Sequence, residues 1–95
     1  MIVVEVREDH VAVTGHAGYA EKGKDIVCAA VSILFQNLYN SIQSLTEDKV
    51  KIDIMPGDSR IGYKDLSETS KNLIDSFFIG ICSISEQYPD YVKIM

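Results

Sequence analysis

The apolar residues of this 95-residue chain switch their spacing from two to between three and four, then back, and do so twice. That alternation restricts the fold more than any other feature, because strands and helices bury their apolar faces at these two different periods. Ile2, Val4 and Val6 alternate with Val3, Glu5 and Arg7, and Val11, Val13 and Gly15 alternate with Ala12, Thr14 and His16. Arg7-Glu8-Asp9-His10 lies between them as a turn, so residues 1 to 16 read as a β-hairpin. Ala17 to Lys24 carries two glycines and no apolar period, and reads as a mobile loop. A long helix follows. Asp25 is placed to cap it, since a carboxylate there accepts from the first unpaired N–H groups. Val27, Val31, Leu34, Leu38, Ile42 and Leu45 form its apolar stripe, which ends near Leu45.

The second half repeats the scheme. Val50, Ile52 and Ile54 alternate along Lys49 to Met55, Pro56-Gly57-Asp58-Ser59 is a turn, and Arg60 to Lys64 places Ile61 and Tyr63 on one face. Asp65-Leu66-Ser67-Glu68 reads as a capping box for a second helix. Its stripe is Leu73, Ile74, Phe77, Ile81, Ile84 and Tyr88, and Pro89 stops it. Phe77 and Phe78 both read as core residues. Gly80 in mid-helix costs about 1 kcal/mol relative to Ala, so close approach of another backbone is expected there. Tyr91 to Met95 is a short last strand. The order is ββαββαβ. It predicts an α/β (α+β) fold: a two-layer sandwich, mostly antiparallel, with two long helices on one face of the sheet. Strand order is not legible.

The length suits one domain over residues 1–95. A chain this short removes roughly two-thirds of its unfolded surface from water, so its core is thin and a partner subunit would help. No apolar run approaches the ~20 residues needed to span a bilayer, and the start lacks the basic region of a signal peptide. A cytoplasmic location without membrane contact is expected. The net charge of −5 argues against direct nucleic-acid binding, which needs a basic face, and suits a basic protein partner. The two cysteines, Cys28 and Cys82, are too few for a disulfide scaffold and form no Cys-x-x-Cys pair.

A cysteine protease needs a thiolate, an imidazole and donors for an oxyanion. Cys28 falls in the first turn of the long helix, where free N–H groups and the positive end of the helix dipole favour a thiolate. The same N–H groups are candidates to hold the oxyanion. His16 ends the second strand, and the intervening loop lets strand end and helix start meet. Bland readings exist for each: a core cysteine, a surface histidine. Cys82 reads as packing and His10 has no role. Ser32 lies one helical turn after Cys28, so its hydroxyl faces either the site or its own backbone. Asp25 could orient His16, but capping alone accounts for it.

Thr14-Gly15-His16-Ala17, followed by Gly23-Lys24-Asp25-Ile26-Val27-Cys28-Ala29-Ala30-Val31-Ser32, resembles the signature of the ribosomal-processing cysteine proteases. The compact size and element order are similar as well. The resemblance implies Cys28 as catalytic nucleophile and His16 as catalytic histidine, with Asp25 and Ser32 supporting. It implies that the glycine-bearing loop, with Gly15, Ala17, Gly18 and Gly23, meets the substrate peptide. It further implies a homodimer that removes an N-terminal extension from the precursor of a large-subunit ribosomal protein. A Cys-His dyad needs no cofactor and no metal. Two other readings remain at this level: a non-catalytic ribosome-associated module that takes a peptide on a hairpin edge, and a redox-sensing thiol, for which no resolving cysteine lies nearby.

Overall fold

A computed structural model describes residues 1–95. The chain runs β1 (Ile2–Val6), β2 (His10–Gly15), α1 (Ile26–Leu45), β3 (Val50–Met55), β4 (Asp58–Tyr63), α2 (Glu68–Gln87) and β5 (Val92–Ile94). The five strands make one sheet in the order β3-β4-β2-β1-β5. Three pairings are antiparallel, and β5 lies parallel to β1. Parallel neighbours need a long connection, and here α2 carries the chain from β4 back across the sheet to the far side of β1.

The register explains the core. Val6, Val11, Ile61 and Ile52 line up across β1, β2, β4 and β3, and Ile94, Val4, Val13, Ser59 and Ile54 make the next inward row. From those rows Val4, Val6, Val11, Val13, Ile52, Ile61 and Ile94 meet the stripes of both helices, Val27, Val31, Phe35, Leu38 and Ile42 from α1 and Ile74, Phe77 and Ile81 from α2, in a single apolar cluster, while Ile54 at the sheet edge stays 56% exposed. This is the expected two-layer arrangement. Neither helix is long and apolar enough to cross a membrane.

Several details differ from the sequence reading. Phe35 belongs to the buried stripe of α1, whereas Leu45, its last residue, is 66% exposed. Phe78 is exposed while Phe77 is buried. Consecutive helical residues lie ~100° apart, so a narrow stripe accepts only one of an adjacent pair. Gly80 is crowded by a side chain rather than a backbone: a Cβ there would stand 2.9 Å from Leu34 Cδ1. Ser67 caps α2 by accepting from Ser70 N–H at 3.3 Å. Its reciprocal partner is Asp48, whose carboxylate accepts from Ser67 N–H at 3.0 Å, Ser67 Oγ at 2.6 Å and the buried Ser70 hydroxyl. That knot ties the segment after α1 to the start of α2.

Candidate active site

Four segments converge at one end of the sheet: the last residue of β2, the loop after it, the first turn of α1 and the β3–β4 turn. Gly15 N–H donates to the Gly57 carbonyl at 2.9 Å, which joins the end of β2 to that turn. Gly15 has φ +87°, and a Cβ on it would collide with the Met1 carbonyl, so two separate constraints require glycine there. The residues around this junction line a cavity of about 980 Å³ that takes in His16, Asp25, Cys28 and Ser32 together.

Asp25 organises the junction. Its Oδ1 accepts from Val27 N–H at 3.0 Å and Cys28 N–H at 2.9 Å, capping α1. Its Oδ2 accepts from Tyr19 N–H at 3.0 Å and Ala20 N–H at 3.4 Å, fastening the loop to the helix start. The Cys28 N–H bond, with those from Tyr19, Ala20 and Val27 and against some desolvation, holds this carboxyl below the usual carboxylate range. Asp25 is therefore a cap and a loop anchor. Nothing in these contacts turns it toward His16.

The half-buried Cys28 Sγ accepts from Ala17 N–H at 3.3 Å. That bond ties the first residue of the loop to the sulfur at the helix start. His16 is exposed and lies against the β3–β4 turn, with Nε2 only 2.9 Å from where a Cβ on Gly57 would be. The imidazole thus shares the cavity with Cys28 while resting over Gly57. Ser32 is exposed on the cavity wall one turn beyond Cys28, and it makes no back-bond of the kind Ser83 makes to Ile79.

The helix-start donors expected for an oxyanion are already engaged. Val27 and Cys28 N–H serve Asp25 Oδ1, and Ala29 N–H serves the Asp25 carbonyl at 3.1 Å. Gly18 and Gly23 line the cavity with φ of +69° and +87°. The Ala17 side chain is instead part of the apolar core, and only its N–H reaches the site. The loop is also less free than its composition suggests, since Ala17 is held by Cys28 and Tyr19 and Ala20 are held by Asp25. Ile54, Met55, Pro56 and Gly57 complete the cavity wall. The sequence marks Pro56-Gly57 only as a turn, because its proximity to His16 arises from strand order. No group of three or more His, Cys, Asp or Glu side chains is gathered to hold a metal ion.

A sequence model of the family described as Cysteine protease Prp matches residues 1–93. The chain belongs to the Prp cysteine proteases. The ribosomal processing cysteine protease Prp of Mycoplasma genitalium is 29% identical over 97 residues, covering 99% of this chain and 94% of that protein. A crystal structure of the Prp protease of Staphylococcus aureus, in complex with a covalently linked product peptide, superposes with a TM-score of 0.92 at 26% identity, covering 99% of this chain and 97% of that one. A solved Streptococcus mutans protein is 34% identical, with a TM-score of 0.73 and coverage of 99% and 91%. Membership makes the chain a cysteine protease, and the Prp fold is the ββαββαβ sandwich described above.

Proposed function

We propose that this protease removes the N-terminal extension from the precursor of a large-subunit ribosomal protein, with Cys28 as nucleophile and His16 as general base. One observation carries the reading: Cys28 sits at the capped start of α1 with a backbone N–H directed at its sulfur, in a cavity that also holds His16. The ribosomal processing activity of the Mycoplasma genitalium relative supports the substrate class.

The chemistry follows the residues. His16 leaves its resting place over Gly57, turns toward Cys28 and accepts the thiol proton. The thiolate attacks the scissile carbonyl carbon, a C–S bond forms, and the carbonyl π pair moves to oxygen. Ala17 N–H, already directed at the sulfur, is the donor best placed for that oxyanion, because the helix-start amides serve Asp25. The C–N bond then breaks as His16 gives its proton to the departing amine. Water, deprotonated by His16, cleaves the thioester and restores the thiol. Ser32 is a supporting donor on the cavity wall, and the turn Glu21–Lys24 closes over the peptide. Ile26 and Ile33, 55% and 60% exposed and two helical turns apart on α1, offer an apolar strip that a second copy would cover. A homodimer fits that strip, and a monomer by sedimentation would contradict it.

The test is to incubate the purified chain with the precursor and follow its mass. A single loss near the N-terminus is expected, absent with Cys28→Ala and nearly absent with Cys28→Ser. His16→Ala should lose most turnover and slow alkylation of Cys28 at neutral pH. An unaltered precursor, or turnover by Cys28→Ala, would refute the proposal.

A further inference from the structure

Tyr19 lies in the loop between His16 and Cys28, yet its ring does not enter the cavity wall. It sits edge-on against Tyr88, with ring centroids 5.6 Å apart at 83°, and against Tyr91, at 5.2 Å and 76°. Both partners belong to the segment between α2 and β5. That segment is itself fixed: Tyr91 N–H donates to the Tyr88 carbonyl at 3.0 Å, and Ile2 N–H donates to the Tyr91 carbonyl at 2.8 Å. Tyr19 thus connects the active-site loop to a rigid platform near the C-terminus.

The backbone of the same residue is held from the opposite side, by Asp25 Oδ2. Two residues earlier is Ala17, whose N–H meets the sulfur. Between them stands Gly18, at φ +69° with nothing within 4 Å of a Cβ position. A glycine in open space is a joint with many accessible conformations. It does not by itself keep the Ala17 N–H pointed at Cys28. The Ala17 methyl is seated in the core, but one methyl anchors a loop more weakly than two aromatic contacts. Past Ala20 the chain has only its own turn, with Lys24 N–H donating to the Glu21 carbonyl at 2.9 Å.

We infer that Tyr19 is a positioning residue: its docking between Tyr88 and Tyr91 sets the loop so that Ala17 N–H bonds the Cys28 sulfur. The inference rests on the reading of Cys28 as nucleophile. It adds a dependence of the site on the C-terminal segment, through ring packing and not through the Tyr19 hydroxyl.

Full-length Tyr19→Ala and Tyr19→Phe are compared with the unaltered protein in three measurements. These are amide exchange of residues 17–20, the pH profile of Cys28 alkylation read from its own peptide, and kcat and KM on the precursor. Two edge-on ring contacts together favour docking by a factor on the order of ten or more. Tyr19→Ala should therefore speed exchange at Ala17, Tyr19→Ala itself and Ala20, move the alkylation profile to higher pH, and lower kcat about tenfold with little change in KM. Tyr19→Phe should behave as the unaltered protein in all three. Should Tyr19→Ala fail to fold, Tyr91→Leu removes the platform from the other side and is read in the same way. The inference is overturned if the ring-less variant keeps the original alkylation profile and kcat, or if Tyr19→Phe is equally impaired. Cleavage by Cys28→Ala would instead sink the nucleophile assignment, while exchange and alkylation judge the latch without any substrate.

Discussion

Gly57 shows how much of the site depends on an atom that is absent. It takes φ +72° after Pro56, the combination a type II turn requires at its second central residue, and its missing Cβ leaves room for the His16 ring. Gly57→Ala therefore meets two obstacles. The left-handed backbone costs about 1 kcal/mol for a residue with a Cβ, and the new methyl would press on Nε2 from 2.9 Å. The expected result is a fall in the denaturation midpoint, because the backbone strain and the displaced ring both weaken the resting structure, in which the imidazole lies over Gly57. The pair of variants His16→Ala and His16→Ala/Gly57→Ala separates the effects, since removing the ring leaves only the backbone strain. Equal stability losses from Gly57→Ala with and without His16 would show that the methyl never touches the ring. The grouping of Cys28, His16 and Asp25 around one cavity was legible from the Gly-His and Asp-Ile-Val-Cys-Ala-Ala-Val-Ser runs that resemble the family signature, more than from spacing alone. Gly57 was not, because its role comes from a neighbour 41 residues away in the chain, and only the strand order β4-β2 brings the two together.

At the scale of elements, the sequence places both helices and all five strands to within about two residues, the usual uncertainty of element ends. Errors arose where a period specifies a face but not what lies opposite it. Phe78 and Leu45 continue apolar sequence onto surface that no element covers. Gly80 signalled a close approach, and the approaching group is Leu34 from α1. That contact makes a prediction whose sign depends on background. In the unaltered protein, Gly80→Ala gains about 1 kcal/mol of helix propensity. It also overpacks against Leu34, which costs about 1–3 kcal/mol, so a net loss of about 1 kcal/mol is expected. In a Leu34→Ala background the obstruction is gone, and the same substitution should stabilise by about 1 kcal/mol. Urea midpoints on the four proteins of this cycle supply the measurement. Destabilisation by Gly80→Ala in both backgrounds would mean that something other than Leu34 excludes the methyl.

For the whole molecule, the balance of 14 acidic against 9 basic residues matters for encounter rather than for fold. The cavity lining includes Asp58, Lys22 and Asp25, and Asp58 is paired with Arg60 Nε at 2.9 Å. No strong local field is built there, so any steering comes from the summed negative charge of a small protein. The proposed substrate, a ribosomal precursor that must later neutralise RNA phosphates, is basic, and the two should attract over a distance set by salt. Screening shortens that reach from about 30 Å at 0.01 M to about 10 Å at 0.1 M ionic strength. Raising salt across this range should lower kcat/KM for the full-length precursor several-fold while kcat stays constant, because steering acts before the bond-breaking steps. A short uncharged peptide spanning the same cleavage site should show no such slope. The contrast matters because salt can also alter the enzyme itself. An equal slope for both substrates would place the salt effect within the catalytic site and leave the acidic surface with no part in substrate capture.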